Sequence, residues 1–300
     1  MQTIYARWRQ HPYRGPGPPV AAPRPARKGR IRCIRALGQQ MDKGKPDQYE
    51  SDQYKMNNGK SAAPEATYAA TINNADWQAL ECSLNDYGNA IVPGLLSPAQ
   101  CEALAAGYDR EQDYRSRIVM ARHGFGRGEY KYFAYPLPAL LDQLRHLLYP
   151  HLAPIANRWS RQLNMNVHFP PALDTFLDQC HAAGQMRPTP LILQYGPGDY
   201  NCLHQDLYGE HVFPLQVAIL LSAPDRDFTG GQFVMTETAA ASQRAEVIPL
   251  QQGDALIFTV NHRPAPGKRG GTRKVAMRHG VSLVHSGRRH TLGVIFHDAR

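Results

Sequence analysis

The sequence lacks the features of several protein classes. Its five cysteines form no Cys-x-x-Cys pattern and no close pair, which argues against a disulfide framework and predicts a reduced, cytoplasmic setting. No apolar core of signal-peptide length precedes a cleavage site, and no run approaches the roughly 18 apolar residues of a membrane span. The 300 residues, 42% of them hydrophobic, are enough for one large domain or two small ones.

Acidic residues are also missing from the first 41 positions, which carry nine Arg or Lys. This segment accounts for the formal net charge of +9, because the rest of the chain holds 25 basic and 25 acidic residues. The net charge of the remaining chain is therefore no argument for a polyanionic partner.

Residues 1–65 are rich in proline and arginine and then polar, with too little apolar surface to offset the entropy of ordering, so we expect disorder. Three interpretations of the basic part compete. It is a transit peptide, a nucleic-acid-binding arm, or upstream sequence joined by a mistaken start, with Met41 or Met56 as the real beginning. The last interpretation is the simplest.

Residues 66–187 show mainly helical spacing, and we expect order from about Thr71. The first helix face is Trp77, Leu80 and Leu84, with Asn73 or Asn74 as its cap. Further helices are expected from a capping box at Ser97 to Gln100, from leucines 140–148 ending at Pro150, at 155–159 and at 173–180. Tyr130, Tyr132 and Tyr135 alternate as in a strand, and packed aromatic core is favoured over a pocket mouth.

After Pro188 the spacing becomes that of strands separated by glycine and proline turns. Eight strands are expected at 191–195, 204–206, 215–221, 232–235, 246–250, 255–260, 275–281 and 289–297. This pattern predicts an α+β fold dominated by β: a double-stranded β-helix (jelly roll) at 188–300, preceded by a helical scaffold at 66–187 and a disordered N-terminal segment at 1–65.

The tripeptide from His204 to Asp206 is the first candidate for chemistry. In an extended segment, side chains two residues apart share a face, so this imidazole and carboxylate converge on one point. Two imidazoles and one carboxylate on one side of an octahedron describe a non-haem Fe(II) oxygenase site. The third ligand must be a later histidine, and the candidates are His211, His262, His279, His285, His290 and His297. We choose His279 because it lies inside a late strand, whereas His285 borders a turn.

These residues resemble the iron- and 2-oxoglutarate-dependent dioxygenase superfamily, in its prolyl-4-hydroxylase-like branch. The resemblance rests on His204-x-Asp206, the distal His279, and Arg289 ten positions later. It covers residues 188–298 well and the part from 71 more loosely. The phrase from His204 to Gly209 is also similar to an uncharacterised bacterial group of such oxygenases.

The resemblance implies a set of ligands. Fe(II) would be held by His204, Asp206 and His279, and 2-oxoglutarate by Arg289, with Thr291 and Tyr195 beside it. O2 is the second co-substrate, and ascorbate is a candidate reductant. The planar fork of an arginine suits a carboxylate better than a lysine would.

The implied reaction is hydroxylation through an iron(IV)-oxo species, with release of succinate and CO2. In relatives that halogenate, a small residue replaces the carboxylate ligand, whereas Asp206 is present here. The substrate stays open between a small molecule, a peptide and a nucleic acid, and the sequence does not indicate the oligomeric state.

Two alternatives remain. The first is an oxygenase acting on nucleic acid by oxidative demethylation or repair, because residues 263–300 hold nine Lys or Arg against the single acid Asp298. The second is a non-catalytic jelly-roll module in which the histidines hold a structural metal.

Overall fold

The computed structural model describes residues 64–300, except residue 208, residues 240–241 and residues 268–269. The prediction of disorder for 1–65 falls almost wholly outside these residues, as do Met41 and Met56. Helix α1 (Pro64–Asn73) covers the last two residues of that segment, so regular structure begins earlier than the expected Thr71.

Helix α2 (Trp77–Tyr87) carries the predicted apolar face, but its cap differs from the prediction. The N-cap is Asp76, whose carboxylate accepts a hydrogen bond from the Ala79 amide at 2.9 Å. Asn73 instead ends α1 and Asn74 follows it, so the two asparagines belong to the turn between the helices. A carboxylate placed one residue before the first turn satisfies an amide that has no partner within the helix.

The capping box predicted at Ser97 is confirmed in α3 (Pro98–Ala106). The Ser97 hydroxyl accepts from the Gln100 amide, and the Gln100 side chain accepts from the Ser97 amide. Pro98 occupies the first turn, where its missing amide hydrogen costs no helical hydrogen bond.

The expectation that a helix ends at Pro150 is wrong. Helix α4 (Ala139–Gln162) continues through both Pro150 and Pro154 and includes the segment predicted as a separate helix at 155–159. Its buried face runs without interruption from Leu141 to Trp159, so packing against the core outweighs the local cost of two prolines. Helix α5 (Leu173–Ala182) follows as predicted. Among the described residues, no helix is long and apolar enough to cross a membrane.

Fifteen strands complete the described part of the chain. They are β1 (Asn89–Val92), β2 (Tyr114–Val119), β3 (Gly126–Arg127), β4 (Glu129–Phe133), β5 (Leu191–Tyr195), β6 (Tyr200–His204), β7 (Leu215–Leu220), β8 (Phe228–Gly230), β9 (Phe233–Ala239), β10 (Ser242–Ile248), β11 (Ala255–Thr259), β12 (His262–Pro266), β13 (Thr272–Val281), β14 (Val284–Gly287) and β15 (Arg289–Val294). Every pairing between these strands is antiparallel.

The strands form two large sheets and a small one. The first has the order β1-β11-β7-β15-β5-β4-β2, and the second has the order β10-β9-β13-β6-β3, with β12 paired to β13. Strands β14 and β8 form the two-stranded sheet. An apolar core between the large sheets joins side chains from both, including Leu220 and Phe258 of the first and Met235 and Met277 of the second. The predicted jelly roll is thereby confirmed.

The first sheet is buried on both faces, which explains why its strands are apolar at consecutive positions. In β7, Val217 and Ile219 pack with the helices, whereas Ala218 and Leu220 face the second sheet. The predicted helical scaffold also contributes strands β1 to β4 to the two sheets, so the helices and the jelly roll share one core.

Most predicted strands are present, with one change that concerns chemistry. Strand β6 ends at His204, so Asp206 follows the strand and the expected strand at 204–206 is wrong. The Asp206 amide donates to the carbonyl of Val260 at 3.2 Å, which ties this segment to the end of β11. The short strands β8, β12 and β14 were not predicted.

A buried polar hub joins the end of the chain to the helices. The Asp298 carboxylate is completely buried and accepts hydrogen bonds from Arg145 of α4 (3.3 Å) and the Tyr135 phenol (2.9 Å), and it contacts His181 Nε2 of α5 (2.9 Å). Arg145 also donates to the carbonyl of Phe296 at 3.1 Å. The residues that follow β15 are therefore fixed to α4 and α5.

Candidate metal and co-substrate site

Three predicted ligands meet at the centre of the second sheet. The ligand atoms of His204, Asp206 and His279 all lie within 4.8 Å of one another. The Nε2 atoms of His204 and His279 lie 3.4 Å and 3.5 Å from different Asp206 oxygens. Strand pairing produces this meeting, because His204 at the end of β6 is directly opposite His279 in β13.

Each imidazole is held by its surroundings. Nδ1 of His204 lies 2.8 Å from the carbonyl of Cys202, so it acts as the donor and leaves Nε2 free for a ligand role. The His279 ring is buried between Phe258, at 4.7 Å between ring centroids, and Phe233, which is parallel to it at 5.9 Å. The backbone is also close here: a Cβ on Gly280 would lie 2.6 Å from the Asn201 carbonyl oxygen.

The electrostatics favour an ionised carboxylate beside two imidazoles. Burial of Asp206 alone would raise its pKa, but hydrogen bonds from His204 and His279 and their charges hold that pKa well below its usual range. Burial lowers the pKa of His279, whereas for His204 the contact with Asp206 outweighs burial and raises the pKa. Two nitrogen donors and one anionic oxygen on one side of a point fit a divalent first-row metal.

A second buried group lies in the first sheet, which packs against the sheet that carries His204 and His279. Arg289 begins β15 and is only 2% exposed, with its guanidinium between the rings of Tyr195 (5.6 Å) and Phe228 (5.8 Å). Its Nη1 donates to the Thr291 hydroxyl at 2.6 Å, and its Nε has no hydrogen-bond partner among the described residues. No carboxylate of the described chain forms an ion pair with it.

Such a cation is costly unless an anion joins it. Burial lowers the pKa of Arg289 to about 10, which still leaves the group charged at neutral pH. Within the part of the chain that the structure describes, the buried Tyr195 hydroxyl has no partner at hydrogen-bond distance. Three polar groups thus surround a position suited to a carboxylate: the Arg289 fork, the Thr291 hydroxyl and the Tyr195 phenol.

The Tyr195 ring packs against a glycine, Gly128. Gly128 has a φ of +102°, and a Cβ on it would lie 2.8 Å from the Tyr195 ring. The loop before β4 therefore packs directly against the proposed co-substrate residues. This contact fixes the ring over which the Arg289 guanidinium lies.

The structure separates the chosen residues from their competitors. Arg288 is exposed, whereas Arg289 points into the fold, as expected from the sequence. His285 is exposed in β14, and His290 lies on the opposite face of β15, where its ring contacts Tyr108. Among the described residues, the metal-type cluster contains only the three predicted ligands.

Three arginines of the basic segment at 263–300 lie in different surroundings. Arg263 is buried and pairs with Glu237 at 2.7 Å, and Arg300 pairs with Glu210 at 3.3 Å. Arg278 is exposed in β13, next to His279 and therefore on the other face of the strand. These three arginines, which contribute to the basic excess of the segment, therefore do not form one common patch.

Sequence reasoning assigned Tyr132 to packed core and did not single out Arg115. Tyr132 lies in β4 opposite Leu191 of β5, which is itself opposite Gly293 of β15. Residues directly opposite in antiparallel strands share a face, so Tyr132 belongs to the face that carries Thr291. The alternation of tyrosines in β4 was the available signal, whereas the position of Arg115 depends on strand pairing.

Comparison with known proteins identifies a family. Residues 128–299 match the family model described as "Oxygenase, catalysing oxidative methylation of damaged DNA". The uncharacterized protein Rv2227 of Mycobacterium tuberculosis strain H37Rv is 47% identical over 168 residues, which cover 56% of this chain and 72% of that protein.

Solved structures with similar folds include two bacterial oxygenases. A prolyl-4-hydroxylase from Pseudomonas putida has 16% identity and a TM-score of 0.43, covering 75% of this chain and 99% of the other. An oxidoreductase of the 2OG-Fe(II) oxygenase family from Burkholderia pseudomallei has 14% identity and a TM-score of 0.42, covering 76% and 94%.

Proposed function

Because the chain belongs to the oxygenase family that residues 128–299 match, we propose that it is an Fe(II)- and 2-oxoglutarate-dependent dioxygenase. The observation that carries this proposal is the pairing of two sites. A His-Asp-His cluster suited to Fe(II) includes two histidines of one sheet, and a buried arginine that has no carboxylate partner among the described residues lies on the facing sheet.

In this proposal His204, Asp206 and His279 hold the metal, which when bound supplies the oxygen activation that amino-acid side chains cannot perform. The Cys202 carbonyl fixes the orientation of one imidazole, and two phenylalanines fix the other. A metal held by these three side chains would have coordination positions left for the co-substrates.

Arg289 would bind the distal carboxylate of 2-oxoglutarate through two charge-assisted hydrogen bonds. Thr291 and Tyr195 would complete the pocket with hydroxyl donors. Because Arg289 and Tyr195 are buried, the bound carboxylate would be shielded from water, which strengthens each of these contacts. The reading of Asp206 as a sign of hydroxylation, and not halogenation, is part of the same proposal.

The test is succinate formation from 2-oxoglutarate by the full chain with added Fe(II), with and without O2. We expect succinate from the wild type and none from His204→Ala. His285→Ala is the matched control, since His285 is exposed and outside the cluster. Equal succinate formation by the wild type and His204→Ala would reject the proposal.

A nucleic-acid substrate is the second part of the proposal, favoured by the description of the matching family model. The chemistry would be oxidation of a modified base, which must leave the base stack to reach a site between two sheets. Mass spectrometry of alkylated single-stranded oligonucleotides would detect a change that requires both Fe(II) and 2-oxoglutarate. An unchanged mass in the presence of succinate formation would instead favour a small-molecule or peptide substrate.

Ascorbate as a reductant and a cytoplasmic location remain predictions from the sequence.

A further inference from the structure

One arginine at the edge of the first sheet has no role in the proposed chemistry. Strand β2 is the last strand of this sheet, and its pairing with β4 slips between Tyr114 and Ser116. Arg115 is therefore the extra residue of a β-bulge. A bulge turns a side chain away from the direction that a regular strand would give it.

The redirected side chain is held in a defined position. The Arg115 guanidinium lies over the Tyr132 ring, 4.4 Å from its centroid, and Nε donates to the Pro188 carbonyl at 2.8 Å. Within the part of the chain that the structure describes, its two Nη groups form no hydrogen bond or ion pair. The Arg115 guanidinium is thus held flat on the Tyr132 ring, and its two Nη groups are left as hydrogen-bond donors for a ligand.

Tyr132 links this arginine to the metal site. Its place opposite Leu191 sets it on the face that carries Thr291. Burial raises the pKa of Tyr132, and the negative charge of Asp206 is a further cause. Arg115 is therefore stacked on a ring that belongs to the face of the first sheet carrying Thr291.

A second cation, Arg187, adds positive charge near Arg115. After burial, the charge of the exposed Arg187 is among the causes that lower the pKa of Arg115. The next arginine along β2 differs, because Arg117 is exposed and already paired with Glu129. The strand thus carries two arginines two residues apart: Arg117 pairs with a carboxylate, whereas Arg115 has no carboxylate partner among the described residues.

We infer that Arg115 is the anchor for a backbone phosphate of a nucleic-acid substrate and that Tyr132 is the positioning residue that holds it. The inference rests on the proposed function for the reaction at the neighbouring metal site. A guanidinium edge matches two oxygens of a phosphate with parallel hydrogen bonds, and the ring below keeps the fork flat. Arg187 would add attraction for the same strand.

The experiment measures binding of a fluorescein-labelled single-stranded DNA of about 10 nucleotides by anisotropy at several salt concentrations, with the full chain and no added metal or 2-oxoglutarate. We expect Arg115→Gln to weaken binding about tenfold or more, because a hydrogen-bonded charge is lost. The slope of log affinity against log salt should fall by about 1. Arg117→Gln is the matched control and should bind as the wild type does.

Equal affinities of Arg115→Gln and Arg117→Gln, or no binding of the DNA by the wild type, would overturn the inference. Thermal unfolding of each variant checks that it is folded. If Arg115→Gln does not fold, Arg115→Lys takes its place in the test. The lysine keeps the charge without the fork, so it should retain the salt slope and lose affinity. Since these measurements omit the metal, failure to form succinate would reject the proposed function and leave this result standing.

Discussion

Replacement of Arg289 by methionine should stabilise the free protein while removing its response to 2-oxoglutarate. Methionine is a flexible apolar side chain that fills an irregular space, whereas the native guanidinium is buried and lacks a carboxylate partner among the described residues. The two effects have opposite signs because the buried charge of Arg289 destabilises the free protein, whereas the same charge attracts the carboxylate of 2-oxoglutarate.

The pKa gives the size of the cost. Burial lowers the pKa of Arg289 from 12.5 to about 10, and about 1.4 kcal/mol corresponds to each unit, so the charge costs the free protein about 3 kcal/mol. Removing one partner of a buried charged pair typically costs about 3–5 kcal/mol. The affinity for 2-oxoglutarate should therefore fall more than about a hundredfold.

Thermal unfolding with and without 2-oxoglutarate measures both effects. A concentration 100 times the dissociation constant should stabilise the wild type by about 2.7 kcal/mol and raise its Tm. Arg289→Met should unfold at a higher temperature than the wild type without ligand, and 2-oxoglutarate should not shift it. Arg288→Met is the control, since this exposed side chain should change neither value.

The reasoning would be refuted if Arg288→Met, and not Arg289→Met, lost the response to 2-oxoglutarate. A lower Tm of Arg289→Met without ligand would also contradict it, since the buried charge would then be stabilised by the protein itself. Fe(II) binding offers an independent check, because the triad is separate from Arg289 and should still bind the metal.

Three further predictions concern the surroundings of the site. Nδ1 of buried His297 accepts a hydrogen bond from the Phe213 amide, and burial lowers the pKa of His297 to about 4. Protonation of His297 should therefore reduce the free energy of unfolding by up to about 3 kcal/mol as the pH falls from about 6.5 to 4. His297→Asn keeps an acceptor and should make the free energy of unfolding less dependent on pH in that range, and an unchanged slope would count against this cause. Gly128→Ala should lower both the Tm and the affinity for 2-oxoglutarate, because its Cβ would meet Tyr195 at a positive φ, and a wild-type affinity would disprove that contact. Ser97→Ala should cost about 1 kcal/mol in urea unfolding without changing succinate formation, and a loss of activity would show that α3 contributes to the site.

The chemistry of the site was largely predictable because its residues, apart from Asp206, lie at strand positions with clear spacing. Arg289 and Thr291 alternate in β15, which begins two residues after Gly287, the last residue of β14. The oxygenase family predicted from these residues is confirmed by the match over residues 128–299. Their roles as ligands stay predictions, supported by the meeting of the three metal-type side chains.

The errors arose where tertiary contacts outweigh local preference. Pro150 lies inside α4 because the buried side chains on either side of it favour a continuous helix. Asp206 lies beyond β6, so its approach to His204 depends on the hydrogen bond between its own amide and Val260, and not on strand alternation. The position of Arg115 depends on a slip in pairing between β2 and β4, which no local pattern of residues shows.

The buried polar hub around Asp298 fixes the residues that follow β15, the strand that carries Arg289. β15 carries Arg289 at one end, and the residues after its other end are fixed to α4 and α5 by a completely buried carboxylate. Truncation of residues 298–300 would leave Arg145 buried without its anion and release that end of the strand from the helices. Such a shortened chain would keep all three metal-type residues and Arg289, and we expect it to lose the alignment between β15 and the two helices.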